Sequence, residues 1–306
     1  MRAPLITIIT PTLNRAGMLR EALSSVEAQG FADLEHVVID GGSTDETPEV
    51  LAEFPGTRLV SEPDRGVYDA LNKGLKLARG EFILQLNSDD RLAAGALVAA
   101  ADAFNDPTVD VVTGQVDFFE VDGIREQCVG RLAEDDALAL TPRNVTLGIP
   151  AINARFFRRD VYSRVGLFDL KYQIAADREW LLRLALTRPR GIVLGVSVCQ
   201  YRRHADSMTI DRAGRNASQY RHEHLSIAEE YLSHPDLADD ARDALRTWHK
   251  RESVCEAQQA LLRGRFRVAW QMAARGGRHN AAWPLAFFSD GFRGLAERLR
   301  RRPMPR

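Results

Sequence analysis

Residues 61–91, SEPDRGVYDALNKGLKLARGEFILQLNSDDR, decide how the chain is read. Within them the run Glu81–Leu86 has the composition of a buried strand, and it ends directly in the acidic turn Asn87-Ser88-Asp89-Asp90. Carboxylates at the C-terminal end of a parallel strand stand where open α/β sheets bind ligands. Two adjacent hard oxygen donors there suit a divalent cation, Mn or Mg, and such a cation grips a diphosphate. The preceding segment Val67–Arg79 has helical periodicity, with Gly80 expected to stop it.

Working outward, Leu5–Thr10 reads as a buried strand. Met18–Gln29 reads as a helix with Met18, Leu19, Ala22, Leu23 and Val26 on its apolar side. Glu35–Ile39 is the next strand, Thr47–Phe54 a helix with Pro48 in its first turn, and Arg58–Ser61 a short strand. Beyond the acidic turn come a helix over Gly95–Phe104 and a strand over Val109–Gln115. Strands and helices alternating through short connections imply a mostly parallel sheet with helices on both faces, an α/β fold.

After Gln115 the pattern loosens. Val116–Val129 predicts a hairpin turning at Asp122-Gly123. Asn153–Arg158 is strand-like and Arg159–Val165 helical. Asp177–Thr187 predicts an amphipathic helix with Trp180, Leu181, Leu184 and Ala185 on one side, and Gly191–Arg202 a strand. From Ala213 onward the chain reads as helical, with breaks at Pro235 and Gly276-Gly277. The expected organisation is therefore an α/β catalytic domain over residues 1–212 and a helical region over 213–306.

Composition narrows the function classes. With 306 residues, 45% of them hydrophobic, the chain can bury a sizeable core. A formal net charge of −1 argues against a nucleic-acid-binding surface. The apolar runs are too short to span a bilayer, and MRAPLITIITPT is too strand-like for a signal peptide. Cys128, Cys199 and Cys255 have no metal-ligand spacing. They are expected to be buried thiols of a cytoplasmic protein.

Four segments in order carry a resemblance: ITIITPTLNR, HVVIDGGSTDET, the SEPDRGVYDALNKG-to-LNSDD block, and IAADREWLLRL. Together they resemble family 2 of the glycosyltransferases, over roughly residues 4 to 210, and within it the bacterial enzymes of surface or extracellular polysaccharide. The resemblance implies the GT-A fold and an inverting, metal-dependent transfer of a sugar to an acceptor hydroxyl. The implied donor is a UDP-, GDP- or dTDP-linked sugar, and the acceptor a saccharide or a lipid-linked one.

It also implies roles, each set here beside a plainer alternative. Pro11, Thr12 and Asn14 match the first nucleotide-contacting turn, with Leu13 where many members carry an aromatic residue against the base. Asp40 matches the carboxylate that accepts from the base or ribose; otherwise Asp40 and Thr44 cap the following helix. Asn87 stands at the first position of the usual Asp-x-Asp motif, and Ser88 follows it. Asp89 and Asp90 are the expected metal carboxylates, or else helix caps. Arg65 and Lys73 are candidate phosphate partners, or else solvated surface cations. His204 is a candidate for the diphosphate or the metal, with Arg202 and Arg203 as substitutes and 207–214 as a loop over the donor. Asp177 matches the catalytic base, with Glu179 a poorer candidate and an N-cap the alternative. The stretch IPAINARFFRR resembles the acceptor-pocket lining, with Ile152-Asn153 where His-Gln is frequent.

Other function classes fit less well. A sugar-nucleotide nucleotidyltransferase needs a Gly-rich cationic loop that TPTLNRAG does not provide, and no G-x-G-x-x-G follows the first strand. A non-catalytic binding member of a polysaccharide assembly would not need Asp89, Asp90 and Asp177 together. The C-terminal stretch, aromatic over Trp283–Phe292 and with six arginines over Arg293–Arg306, predicts docking to an anionic membrane surface on its inner face, or else a solvated tail.

Overall fold

The computed structural model describes residues 4–204, 216–280, 283, 284 and 287. The chain forms two compact units, residues 1–212 and 213–306. The expected loop over 207–214 and the arginine tail Arg293–Arg306 lie outside the described residues.

The first unit runs β1 (Ile6–Thr12), α1 (Ala16–Glu27), β2 (Leu34–Asp40), α2 (Thr47–Ala52), β3 (Thr57–Ser61), α3 (Val67–Leu77) and β4 (Phe82–Gln85). It continues with β5 (Arg91–Leu92), α4 (Ala96–Ala103), β6 (Val111–Asp122), β7 (Arg125–Leu132), α5 (Asp135–Leu138) and α6 (Pro142–Leu147). A 3₁₀ turn (Ile152–Ala154) leads into β8 (Arg155–Arg158), then α7 (Asp160–Val165), α8 (Ala176–Leu186) and β9 (Gly191–Arg202).

Among the described residues the strands form one nine-stranded sheet in the order β3-β2-β1-β4-β8-β6-β9-β5, with β7 paired to β6. β1, β2, β3 and β4 are parallel to one another, as the alternating β-α reading predicts. β8 is antiparallel to both β4 and β6, so the sheet as a whole is mixed. The hairpin turns at Asp122-Gly123 as expected, but its first strand is the continuation of β6 rather than a separate element.

β1 is buried along its whole length, as an interior parallel strand covered on both faces must be. Its register sets Thr12 beside Asp40 of β2 and Ile9 beside Gln85 of β4. The C-terminal ends of the three strands therefore converge. One core cluster packs Ile8, Leu84, Phe156 and Val112 of the sheet with Leu97 of α4, and another packs Val37 and Ile39 with Ala70 of α3.

Three local expectations are corrected. α3 ends at Leu77, before Gly80. Gly80 is small for a different reason: a Cβ there would lie 2.5 Å from the Thr7 backbone nitrogen, so it lets the connection pass against β1. α8 is buried on nearly every side, not amphipathic. Trp180 stacks on Tyr162 with centroids 4.7 Å apart, and Arg178 donates to the carbonyls of Val145, Thr146 and Gly148 at the end of α6. Cys199 is buried and Cys255 half-buried, but Cys128 is exposed on β7, the strand that pairs only with β6 among the described residues.

The second unit packs α9 (Ala217–Leu232), α10 (Asp239–Leu262) and α11 (Phe266–His279) around Leu225, Val254, Ala257, Met272 and Trp283. The break expected at Gly276-Gly277 falls instead at Gly264, whose φ of +70° turns the chain from α10 into α11. α11 runs straight through Gly276 because that position faces Trp283: a Cβ would lie 2.1 Å from its Nε1. Trp283 is thus core, donating to Ser253 Oγ at 2.8 Å, and not part of an exposed aromatic stretch.

Glu229, His249 and His279 converge from the three helices. Arg275 donates to both Glu229 oxygens, at 2.6 and 2.8 Å, and His249 Nε2 sits 3.0 Å from Oε1. Burial opposes ionisation of Glu229, but these hydrogen bonds and the guanidinium charge outweigh it and push its pKa down to about 2. The guanidinium already serves as the cation of this group.

Gly80→Ala is expected to destabilise the fold by about 1–3 kcal/mol through overpacking against backbone. Chemical denaturation should show a lower midpoint with the slope unchanged. A midpoint equal to the parent's would mean that the connection can move away from β1.

Candidate active site

The convergent strand ends open into a cavity of about 310 Å³. Its wall includes Pro11 and Thr12 at the end of β1, Leu13 and Arg15 after it, Asp64 to Tyr68 around the start of α3 except Arg65, and Asn87, Ser88 and Asp89 after β4. Ile152 and Asp177 complete it from the second half of the unit.

The floor is built by turns that hold each other. Asn14 takes a left-handed φ of 51°, which asparagine tolerates better than most residues. Its amide N–H donates to Ser43 Oγ at 2.8 Å, and its Oδ1 accepts from the Thr44 N–H at 2.8 Å. Asp40 is 1% exposed. It accepts from Ser43 N–H at 3.1 Å, from Ser43 Oγ at 2.5 Å and from Ser61 Oγ at 2.6 Å. Neither lines the cavity: Asp40 is buried and Asn14 exposed, and together they brace the two turns. Neither Asp40 nor Thr44 caps α2; Asp45 accepts from the Thr47 and Ala16 N–H groups instead.

The two adjacent carboxylates face opposite ways. Asp89 lines the cavity, paired to Arg15 and within 3.0 Å of His204 Nε2 through the same oxygen, Oδ2. Burial opposes its ionisation, but the His204 hydrogen bond and the Arg15 charge prevail and hold its pKa below the usual carboxylate range. Asp90 is 1% exposed and turned inward. Its Oδ1 accepts from the Arg202 backbone N–H at 3.0 Å, and its Oδ2 accepts from Asn153 Nδ2 at 2.6 Å and Asn87 Nδ2 at 3.3 Å. Burial and the neighbouring Asp89 charge push its pKa up to about 8. The expectation that both carboxylates are placed to hold a metal is thus corrected: Asp90 is turned inward, and of the two only Asp89 faces the cavity.

The cations also fall differently from expectation. Arg65 is exposed and pairs with Asp69, and Lys73 binds Glu62 at 2.9 Å and the Pro63 carbonyl at 2.8 Å; neither lines the cavity. Arg202 and Arg203 do not line it either: Arg202 Nε donates to the Asp89 carbonyl at 3.1 Å, and Arg203 pairs with Glu120. The cavity's arginine is Arg15, which sequence reading passed over although it directly follows the TPTLN turn and opens α1.

Asp177, in the first turn of α8, is held through one oxygen. Oδ1 is 3.0 Å from the Tyr68 hydroxyl and accepts from the Arg178 N–H at 2.7 Å. Among the described residues Oδ2 makes no hydrogen bond. Burial raises its pKa above the ordinary value, against the charge and N–H of Arg178 and the Tyr68 hydroxyl. Glu179 is buried and paired to Arg183 at 2.7 Å, which removes it as a rival base. The Ile152-Asn153 pair divides its work, Ile152 on the wall and Asn153 on Asp90.

The family model of glycosyl transferase family 2 matches residues 7–166. The chain belongs to glycosyl transferase family 2. A PGL/p-HBAD biosynthesis glycosyltransferase of Mycobacterium bovis is 37% identical over 191 residues, 60% of this chain and 70% of the relative. Escherichia coli chondroitin synthase is 36% identical over 107 residues, 34% of this chain and 16% of the synthase. Among solved structures, residues 1–349 of S. aureus TarS in complex with UDP-GlcNAc match with a TM-score of 0.70 at 20% identity, over 97% of this chain and 91% of that one. The match to a longer TarS chain spans 43% of its length. A Pyrobaculum calidifontis mannosyltransferase in complex with GDP-Man and Mn2+ matches with a TM-score of 0.60 at 20% identity, over 97% and 84%. These neighbours share the GT-A fold, and this family 2 glycosyltransferase has that fold with helices appended at its C-terminal end.

The opposed orientations of the acidic pair separate two variants. Asp89→Ala is expected to abolish Mn-dependent stabilisation by nucleotide while its own thermal midpoint stays near the parent's. Asp90→Ala takes the acceptor from two buried donors and from the half-buried Asn87 side chain, so a loss of about 1–3 kcal/mol of stability is expected. Thermal-shift measurements with and without Mn and nucleotide distinguish them. A stable Asp90→Ala beside an unstable Asp89→Ala would reverse the assignment.

Proposed function

We propose that this chain is an inverting, cation-dependent transferase that moves a sugar from a nucleoside diphosphate donor to an acceptor hydroxyl. The observation that carries the reading is that Asp89 and Asp177 open into the same cavity, each fixed by its own hydrogen bonds.

The donor set fits a divalent cation. Asp89 Oδ2 and His204 Nε2, 3.0 Å apart, offer the carboxylate–imidazole combination that Mn accepts, with the donor's phosphate oxygens left to fill the remaining positions. When bound, such a cation neutralises charge on the leaving diphosphate. Arg15 can serve the same phosphates once it parts from Asp89, since its guanidinium reaches the same oxygen as the imidazole. Leu13, 49% exposed, covers the donor base without aromatic stacking, and the Asn14–Ser43–Thr44 lock keeps that turn rigid.

Asp177 acts as the base. Its raised pKa makes it a stronger proton acceptor than an ordinary carboxylate, and Oδ2 is left available for the acceptor hydroxyl. Tyr68 orients it. The single hydroxyl proton of Tyr68 can go to the Ile174 carbonyl, 2.8 Å away, or to Asp177 Oδ1. Donation to Asp177 favours its charged form, so Tyr68 keeps the elevation of the pKa in check. UDP- and GDP-linked sugars are the donor class supported by the ligands of the TarS and Pyrobaculum structures.

A thermal-shift panel of UDP-, GDP-, dTDP- and CMP-sugars with and without Mn tests the reading. One donor should raise the midpoint only with the cation present, by mass action. No stabilisation by any donor counts against it. NMR of the product anomer tests inversion.

Asp177→Asn is expected to cut turnover by on the order of 10²–10⁴ with donor affinity nearly intact. Activity of the parent should rise with pH through the elevated Asp177 pKa, because only the ionised carboxylate accepts a proton. Tyr68→Phe should move that acid limb to higher pH while donor KM stays unchanged. A Tyr68→Phe enzyme with only a lower thermal midpoint and an unmoved limb would assign Tyr68 a packing role alone.

A further inference from the structure

We infer that the α10–α11 corner of the second unit is a docking surface for an anionic lipid bilayer. Four large apolar side chains are exposed there: Leu261 (39%), Leu262 (67%), Phe266 (71%) and Trp270 (72%). Phe266 and Trp270 are four residues apart on α11, so they project from one side of that helix. Leu261 and Leu262 end α10, and the Gly264 turn brings the two helix ends together.

The inner side of α11 is already occupied. Met272, with Val268 and Ala273, packs into the three-helix core. The exposed apolar stripe is therefore additional to what the fold needs. An unpartnered phenylalanine and tryptophan on the same helix turn mark a contact surface, not scatter.

The charge around the stripe selects the partner. Arg263, Arg265, Arg267 and Arg278 are exposed, and none forms an ion pair among the described residues. Residues 257–280 contain no Asp or Glu, although the whole chain carries a net charge of −1. On the helical wheel Arg267 and Arg278 fall about 100–120° from Phe266, on the flank of the apolar stripe rather than across from it. Aromatic and aliphatic groups seated at the acyl boundary, with arginines reaching up to phosphate, is the arrangement of an interfacial helix. A neutral apolar partner would leave the arginines without a counter-charge, and a nucleic acid would leave Leu262 and Phe266 without an apolar environment. No helix among the described residues is long and apolar enough to cross a membrane, so the contact is peripheral. The residues of this surface precede the arginine tail in the sequence, and the inference stands whether or not the chain transfers a sugar.

The tryptophans provide the readout. Trp180, Trp248 and Trp283 are 0%, 1% and 6% exposed, so Trp270 is the one exposed tryptophan of four. The full chain would be titrated with vesicles of phosphatidylcholine alone and with one-third phosphatidylglycerol, at low and high salt. Expected are a blue shift and loss of acrylamide quenching of Trp270 with the anionic vesicles only, weakened by salt. Phe266→Ser/Trp270→Ser should reduce co-sedimentation on the order of tenfold or more. Arg263, Arg265 and Arg267 changed to Gln should each reduce it roughly fivefold. These positions are exposed, and circular dichroism should show the parent's midpoint. Co-sedimentation with no change in Trp270 emission would place the contact on another part of the chain and overturn the inference. So would a blue shift that grows with protein concentration without lipid, the mark of a second copy on this face, or equal response to both vesicle types.

Discussion

Two adjacent carboxylates cannot both be charged and both be buried without support, and the site depends on how this chain resolves that conflict. Asp89 and Asp90 follow one strand, one facing the cavity and the other the interior. Asp90 is held by an amide N–H from β9, by the Asn153 side chain before β8 and by Asn87 of its own turn. Arg15, on the cavity wall, and His204 hold Asp89. The inward residue supplies no ligand. It fixes the turn, and the fixed turn aims Asp89. That only one carboxylate of the pair faces the cavity is also why the imidazole and the donor's own oxygens matter so much in the proposed chemistry.

Sequence reading was strongest where the physics is local. The apolar continuity of β1 and β4, the β-α alternation of the first half and the acidic turn after β4 all follow from spacing and composition. It was weakest where the outcome depends on what comes from elsewhere. Nothing in LNSDD says which aspartate points inward, because that is decided by the Arg202 amide and the Asn153 side chain. Lys73 and Arg65 lie in the block that was read as phosphate-binding, yet Glu62 and Asp69 engage them locally. Nothing in the sequence around Arg15 marks it. Its partner is reached only when β1 and β4 lie side by side.

The same limit applies to helices. Periodicity assigned α8 a wet side, but the positions of Arg178 and Glu179 are filled by the carbonyls at the end of α6 and by Arg183. Polar residues on a helix mark solvent only when no other element supplies their partners. The Gly276-Gly277 pair is the converse: it reads as a break, and Gly276 is instead the space into which Trp283 fits.

The bonds to Asp90 span 63 residues to Asn153 and 112 to Arg202. Contacts that far apart in the chain form only after long loops have closed, and loop closure is slow relative to helix or hairpin formation. The parallel half can assemble from near neighbours, whereas the acidic turn waits for β9. During synthesis the chain thus holds the cavity's defining residues well before it holds the strand that orients them, and a fragment ending short of Arg202 would carry the motif without the geometry.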